Sequence, residues 1–309
     1  MSADTRITDR RESRPRTGDA GTLPAELFER SDAKGLARLA FHAGLLGCTG
    51  FLLAASLPSA WSLPVILLHG VVLTFLFSPL HECIHGTAFS SRWLNDGVAF
   101  VCGAVLLLPR EYFRDFHLQH HRFTQDPKRD PELAVGKPGA TSEYLRHLSG
   151  LPYWCDRVTR LLRHARGKVI EPFIAEKRRA VIVREARLHL VLYAVLTVGS
   201  LAVQSSVLMV YWLAPVLLGQ PFLRAFLLAE HTGCPMIPDM LVNSRTTHTN
   251  LLVKMLTWNM PYHAEHHAWA AVPFYNLPRV HERVRQRIAH TAPGYIDVHR
   301  NLWNRLDPA

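Results

Sequence analysis

Four long apolar stretches with few charged residues constrain the fold of this chain more than any other feature. They cover residues 36–57, 61–80, 188–204 and 207–229, and they alternate with segments rich in arginine. A helix of about 20 apolar residues crosses a hydrocarbon layer of about 30 Å. Because a soluble chain seldom contains several such stretches, the pattern predicts an all-α integral membrane protein with four transmembrane helices.

The connections between these stretches are short and uncharged. Residues 57–60 separate the first pair, and Ser205-Ser206 separates the second pair. Each pair is therefore predicted to form a helical hairpin. A further apolar stretch, residues 97–109, is too short to cross a membrane comfortably. It suits a short interfacial or re-entrant helix, or equally a buried helix of a membrane-associated cap.

The basic residues indicate how the chain is oriented in the membrane. They are concentrated in residues 1–35, 110–187 and 230–309, whereas the two hairpin turns carry none. By the positive-inside rule, both termini and these basic segments are cytoplasmic. We therefore predict a multi-pass protein, in the inner membrane if the source is bacterial. Residues 1–35 would form a disordered basic tail, and residues 36–309 one membrane domain whose cytosolic helical cap comprises 110–187 and 230–309.

The net charge of +10 and the cysteines bear on partners and compartment. A basic surface can bind nucleic acid, but no zinc-finger, RNA-binding or helix-turn-helix motif supports that interpretation, and we predict no nucleic-acid partner. The five cysteines are scattered and contain no CxxC pair, which argues against a disulfide framework and is compatible with a reducing compartment.

Half of the 18 histidines fall into a few groups. Spacings of three and four residues place side chains on one helix face, so that two imidazoles can bind one metal ion. The adjacent histidine of an HxxHH group is turned by about 100° and can reach a second ion. In the predicted topology all groups lie on the cytoplasmic side. The groups are His81 and His85; His117, His120 and His121; His263, His266 and His267; and the isolated His231.

The composition of these groups points to a pair of metal ions. Imidazole suits Zn, Cu, Fe and Ni, and no thiolate is present to favour softer ions. A structural zinc needs only four ligands, usually including cysteine. We therefore predict a histidine-rich site for two redox-active iron ions (Fe2+/Fe3+), with O2 as co-substrate.

Acidic residues beside the histidines have two interpretations. The segment from His81 to His85 matches HExxH, in which Glu82 would be the general base of an intramembrane zinc protease. That alternative leaves both HxxHH groups unexplained. We therefore predict that Glu82 and Glu265 act at the catalytic site by orienting an imidazole through its second nitrogen, and Glu230 invites the same interpretation.

Two further histidines are weighed separately. His69 lies in the middle of the second stretch, where it could line a substrate tunnel but is more simply explained by a bond to a neighbouring helix. His248 lies in a polar segment that could approach the metal site but more simply links helices.

The histidine groups resemble the three-box pattern HxxxH, HxxHH and HxxHH of the membrane fatty acid desaturase superfamily, over residues 60–285. The resemblance implies a four-span helical body, oxygen-dependent C–H activation by two irons, and electrons from a ferredoxin- or cytochrome b5-type donor. It also implies a fatty acyl or lipid substrate, desaturated or alternatively hydroxylated or converted to a ketone, as in alkane and carotenoid relatives. His231 resembles the additional histidine ligand of several subfamilies. The chain departs from the usual pattern at Leu227, Ala270 and Tyr275.

Overall fold

A computed structural model describes residues 23–307 of the chain. The predicted disordered tail falls partly outside this range, since residues 1–22 are not among the described residues. Residues 23–35 are ordered, contrary to our expectation: a short 3-10 helix spans Ala25–Phe28, and Leu27 is fully buried. The amide of Asn276 donates to the Leu27 carbonyl at 2.9 Å, which anchors this segment to the C-terminal part of the cap.

Within residues 23–307, three helices are long and apolar enough to cross a membrane. The first, α1 (Asp32–Ser56), corresponds to the predicted span 36–57. The second covers Ser62–His85 and is made of α2 (Ser62–Thr74) and α3 (Phe77–His85). The third covers Met209–His231, and its main part is α9 (Ala214–His231). The first, second and fourth predicted stretches therefore correspond to candidate spans, with slightly different ends.

The remaining predicted span, 188–204, is not among these three helices. It lies in α8 (Glu176–Ala202), whose first half carries the charged residues of the cap. A different pair, α4 (Arg92–Val105) and α5 (Arg110–Phe123), could form a fourth, broken span, since its two helices are bent by 100° at a short break. The stretch predicted at 97–109 is the second half of α4 and this break. The structure thus has three or four candidate spans.

Two glycines permit close contact between α2 and α9, the most extensively packed helix pair. A β-carbon added to Gly70 would lie 2.0 Å from the carbonyl oxygen of Pro215, and one added to Gly219 would lie 2.1 Å from the carbonyl oxygen of Gly70. Small residues at such a crossing let two backbones approach closely, as is common between membrane helices. This contact fixes the ends of α3 and α9 relative to each other.

The mid-span His69 bridges helices, as the simpler of our two interpretations predicted. Its Nδ1 lies 2.7 Å from the hydroxyl of Thr49 on α1, and its Nε2 lies 3.2 Å from the carbonyl oxygen of Tyr211. Both ring nitrogens therefore have partners on neighbouring helices.

The cap is built from short helices and one small parallel sheet, so the fold is mostly but not entirely helical. Strand β1 (Arg245–Thr247) pairs with β2 (His290–Ala292), with Arg245 opposite His290. Three-residue strands are too short to give an alternating sequence pattern, which is why the sequence did not predict them. The helices of the cap are α6 (Thr141–Leu148), α7 (Leu151–Ala165), α10 (Met240–Asn243), α11 (Leu251–Leu256), α12 (His263–Ala268), α13 (Leu277–Val284) and α14 (Tyr295–Trp303).

A buried core joins the cap to the membrane helices. The fully buried Trp258 packs against Phe274, with ring centroids 4.6 Å apart, beneath α12. An ion-pair network ties α4, α5 and α8 together: Arg110 contacts Asp96 at 2.7 Å and Glu185 at 3.3 Å. The cap helix α5 is thereby fixed beside α3, where the histidine groups meet.

Candidate metal centre

Four helix segments bring the predicted histidines together. His81 and His85 lie in the last turns of α3, which ends at the left-handed Gly86. The HxxHH groups lie in the second half of α5 and in the short α12, and His231 is the last residue of α9. Because α3 and α9 end at the same side of the structure, residues far apart in sequence share one buried region.

Five of these histidines form a first group. One ring nitrogen from each lies within 4.8 Å of those of the others. His121 is central: its Nε2 is 2.9 Å from Nε2 of His117 and 3.2 Å from Nε2 of His266. The group is therefore assembled from all three boxes. Its members are His81, His85, His117, His121 and His266.

A second group contains His120, His231 and His267, with ring nitrogens again within 4.8 Å. His263 adjoins it, since its Nε2 lies 2.8 Å from Nε2 of His231 and its ring centroid 4.4 Å from that of His267. The adjacent histidines of each HxxHH box thus separate: His121 joins the first group and His120 the second. The angular offset predicted from sequence accounts for this division.

The two groups meet the requirements of metal binding. Nε2 of His85 and Nε2 of His267 are buried and have no hydrogen-bond partner within residues 23–307. A buried polar atom without a partner is costly unless an ion or ligand satisfies it. Imidazoles turned with their nitrogens toward one another also concentrate lone pairs, which a cation stabilises. Each group could therefore hold a metal ion.

The histidines of α12 are in the protonation state that a metal requires. Burial lowers the pKa values of His263, His266 and His267 well below the ordinary value of 6.5, and neighbouring imidazoles lower them further. These rings are consequently neutral near pH 7. Metal ligation requires neutral imidazole, so these three rings need no proton release at that pH.

Glu82 lies beside the Nδ1 atoms of two histidines of the first group. Its side chain is fully buried, and Oε1 lies 3.4 Å from Nδ1 of His81 and 4.0 Å from Nδ1 of His266. Its Oε2 accepts from the Thr87 hydroxyl at 3.0 Å and from the Phe274 amide at 3.3 Å. A carboxylate on the second ring nitrogen orients a metal-binding imidazole.

Asp130 and Glu230 have the corresponding place in the second group. Nδ1 of His120 donates to Oδ1 of Asp130 at 2.9 Å, and Nδ1 of His263 lies 3.3 Å from Oε1 of Glu230. In the sequence, Asp130 precedes Pro131, a pair that indicates only a turn. No local signal identified it, because its position depends on how the loop after α5 folds back.

Uncharged groups complete the surroundings of the second group. The hydroxyl of Thr124 lies 3.1 Å from Nδ1 of His267, and the carbonyl oxygen of Asn243 lies 3.2 Å from Nδ1 of His231. A carbonyl oxygen can only accept, so it fixes Nδ1 of His231 as the protonated nitrogen and leaves Nε2 for a metal ion.

Two predicted or considered residues lie elsewhere. The carboxylate of Glu265 accepts from the Thr246 hydroxyl at 2.5 Å and from Nδ1 of His281, so it contacts neither histidine group. Our prediction that it orients a metal-binding imidazole does not match this placement. Its helix position explains the difference, since the neighbours His263, His266 and His267 point the other way. His248 is exposed and contacts the ring of His281 instead.

Comparison with known proteins agrees with this geometry. A family model described as fatty acid desaturase matches residues 58–299, which include every histidine of both groups. The chain is 27% identical over 289 residues to an sn-1 oleoyl-lipid 12-desaturase of Picosynechococcus sp., covering 86% of this chain and 80% of the relative.

Two further relatives widen the comparison. A dihydrorhizobitoxine desaturase of Bradyrhizobium elkanii is 27% identical over 290 residues, covering 83% of this chain and 75% of the relative. An sn-1 acyl-lipid omega-3 desaturase (ferredoxin) of Synechocystis sp. is 33% identical over 104 residues, covering 33% of this chain and 28% of the relative. Since the family model covers most of the sequence, the chain belongs to the fatty acid desaturase family.

Proposed function

We propose that this protein is a membrane-bound non-haem di-iron oxidoreductase that desaturates a fatty acyl or lipid chain in an O2-dependent reaction. The single observation that supports this most is the convergence of two histidine groups, of five and three rings, in one buried region. Both are rich in neutral imidazole and contain no thiolate, a donor set that suits iron.

In this proposal the histidines bind the metal ions and acidic residues orient the histidine rings. The first group and the second group, the latter with His263, would each hold one iron. When bound, these irons would supply the activation of dioxygen needed to break an unactivated C–H bond. Glu82, Asp130 and Glu230 would orient the imidazoles through their second nitrogens. Burial of the site would exclude water and hold the reacting methylene in place.

The electron donor would be a separate protein, because no haem-binding or nucleotide-binding motif occurs in the sequence. The ferredoxin named for the Synechocystis relative supports a ferredoxin-type donor, and a cytochrome b5-type donor is the alternative. The exposed basic side chains of Arg166, Lys177 and Arg179 would face an acidic donor from the cytoplasm. Both termini and the cap are cytoplasmic in this proposal, as the distribution of basic residues favours.

We favour desaturation over hydroxylation or ketone formation because the three relatives compared above are named desaturases. A hydroxylase or ketolase acting on an alkane, lipid or carotenoid uses the same type of site and differs in how the substrate carbon is positioned. A zinc protease would leave both HxxHH boxes without a role, although both contribute to the histidine groups.

Metal analysis tests the di-iron centre. Protein purified in detergent is expected to contain about two irons per chain. His85→Ala and His231→Ala should each lose about one, since each removes a ligand from a different group. The His248→Ala variant serves as a control and should keep both. One tightly bound zinc without iron would contradict the proposal.

Lipid profiling of a host that expresses the chain tests the reaction. New double bonds are expected with the intact chain and a ferredoxin-type donor, and none with His267→Ala. New hydroxyl or keto groups would instead identify the alternative reactions. An unchanged lipid profile with iron-loaded protein and a functional donor would contradict a lipid substrate.

A further inference from the structure

Arg224 is a charged residue within a candidate membrane span, where such residues are rare and usually functional. Its guanidinium lies 4.3 Å from the ring centroid of Tyr153 on α7, and the guanidinium of Arg157 lies 4.7 Å from the same ring. The ion pairs of α7 involve Arg160 and Arg163 instead, and neither Arg157 nor Arg224 pairs with a carboxylate among residues 23–307. Two cations thus share one aromatic ring, and the carboxylates of Glu230 and Glu132 act on Arg224 only from beyond ion-pair distance.

Polar atoms without partners surround this pair of arginines. Gln220, one helical turn before Arg224, is fully buried, and neither atom of its amide has a hydrogen-bond partner in the described part of the chain. An unsatisfied buried polar group is costly, so a cluster of them points to a missing ligand. The others are Nε1 of Trp154, Nε and Nη1 of Arg157, Nε of Arg224 and Nε2 of His147.

The chemistry of these atoms selects the ligand. The indole N–H and the guanidinium N–H groups can only donate hydrogen bonds, and the two guanidiniums are positively charged. A guanidinium binds carboxylate and phosphate oxygens with a planar pair of N–H groups. The ligand that would satisfy the cluster is therefore an anionic oxygen group.

The start of α7 adds to the positive potential. The helix begins after Gly150, which offers no side chain to cap it, and its first turn contains no acidic residue. Helix N-termini favour anions. Gln220 lies against this terminus, because a β-carbon on Gly150 would come within 2.5 Å of its Cγ. The buried amide of Gln220 thus lies at the start of α7, and both arginines contact the ring of Tyr153 in the first turn of this helix.

The position of the cluster relates it to the candidate metal centre. Gln220, Arg224 and His231 are separated by four and seven residues and therefore lie on the same face of α9. The distance along the helix axis from Arg224 to His231 is about 10 Å, at 1.5 Å per residue. A chain held at the arginines could extend along this face to the histidines.

We propose that Arg157 and Arg224, assisted by Gln220 and Trp154, bind the anionic group of the acyl substrate, a carboxylate or a phosphate ester. The inference deepens the function proposed above, since it names the class of substrate: an acyl chain with a negatively charged polar end. Its test measures binding alone and does not require turnover.

Binding of charged and neutral lipids to the full-length protein in detergent tests this site. The probes are oleate against methyl oleate, and dioleoylphosphatidylglycerol against diolein, measured by thermal stabilisation and native mass spectrometry. The wild-type protein should bind at least one charged lipid about tenfold or more tightly than its neutral partner. A preference for oleate would identify a carboxylate ligand, and a preference for phosphatidylglycerol a phosphate ligand.

Variants locate the preference on the molecule. Arg157→Gln and Arg224→Gln should each abolish it, whereas Arg166→Gln, at the exposed end of α7, should retain it. Arg224→Lys keeps the charge and is the second variant if Arg224→Gln does not fold. Absence of any preference in the wild-type protein, or its retention in both glutamine variants, would overturn the proposal.

The outcomes also separate this site from the proposed di-iron function. If the protein contains two irons but binds charged and neutral lipids equally, the result supports the metal centre and contradicts the anion site. If the protein prefers charged lipids through Arg157 and Arg224 but contains no iron, the result supports the anion site and contradicts the di-iron centre.

Discussion

Asp130 holds the ring of His120 by a buried hydrogen bond. Nδ1 of His120 donates to Oδ1 of Asp130 at 2.9 Å, and each side chain is only 2% exposed. The carboxylate is itself fixed by the backbone amides of Gln125 at 2.8 Å and Glu132 at 2.9 Å. Because a carboxylate only accepts, the proton resides on Nδ1 and Nε2 of His120 is left for a metal ion.

We predict that Asp130→Asn weakens metal binding at the second histidine group by about 10–100-fold, since partners on the second nitrogen contribute this much to metal affinity. Metal titration of stripped protein measures the change. Asp126→Asn is the matched control, because Asp126 lies in the same loop but pairs with Arg129. Equal affinities for the wild-type and Asp130→Asn proteins would show that this hydrogen bond does not support a ligand.

We predict that Gly70→Ala separates α2 from α9 and reduces the yield of folded protein. The added methyl group would meet the backbone carbonyl of Pro215 at 2.0 Å, a contact that no side-chain movement can relieve. Overpacking typically costs about 1–3 kcal/mol, and a backbone clash belongs at the upper end. Thermal unfolding in detergent measures the loss of stability.

Gly44→Ala is the control for this substitution, since nothing lies within 4 Å of the added β-carbon on α1. It should unfold at or slightly above the wild-type temperature, because alanine favours helix. Similar destabilisation by both substitutions would indicate a general intolerance of alanine and would refute a specific role for the α2–α9 contact.

The sequence predicted the metal-binding candidates better than their surroundings. Eight of the nine histidines are recognisable because their spacing of three and four residues is local and repeats in three boxes, whereas His231 stands alone at the end of the last apolar stretch. Asp130 contacts His120 only after the loop that follows α5 has folded back, and Thr124 contacts His267 only after α5 and α12 have packed together. Glu265 lies between box histidines, yet the direction of its side chain is set by Thr246 and His281.

The same distinction holds for the helices. Uniform apolar composition identified α1, the Ser62–His85 helix and the Met209–His231 helix. The stretch 188–204 has similar composition, but it belongs to a longer helix that begins with charged residues of the cap, so hydropathy alone did not define its boundaries. The bend of 100° between α4 and α5 likewise depends on packing that the sequence does not display locally.

We predict that Glu171 makes stability depend on pH in the acid range. Burial by itself would raise the pKa of Glu171, but hydrogen bonds from His164 and the charge of Arg163 lower the pKa to about 2, from an ordinary value of 4.5. A lowered pKa in the folded state adds stability above pH 4.5, and this contribution is lost as the pH falls from 4.5 toward 2.

Glu171→Gln should therefore lower the free energy of unfolding by about 2 kcal/mol at pH 7 and by progressively less below pH 4.5. Unfolding in detergent at a series of pH values measures the difference between the two proteins. Glu176→Gln, an exposed substitution on α8, should show no such convergence. A difference that stays constant down to pH 3 would rule out the titration of Glu171 as its cause.

We predict opposite outcomes for two buried glutamates that the sequence placed in the same role. Glu82 lies 3.4 Å from Nδ1 of His81, whereas Glu265 accepts from Thr246 at 2.5 Å and contacts no ring of either histidine group. Glu82→Gln should reduce metal affinity at the first group by about 10–100-fold. Glu265→Gln should leave metal affinity nearly unchanged and lower thermal stability, because its bonds join α12 to β1 and α13.

Measuring metal content and unfolding temperature on the same two samples separates these roles. Glu82→Gln is nearly isosteric, so a large loss of metal with a small change in unfolding temperature identifies a supporting group rather than a packing defect. Loss of metal in Glu265→Gln alone would mean that the carboxylate between the box histidines acts on them after all. A protease would give a third pattern, in which Glu82→Gln keeps its metal and loses only hydrolysis, since a general base is not a ligand.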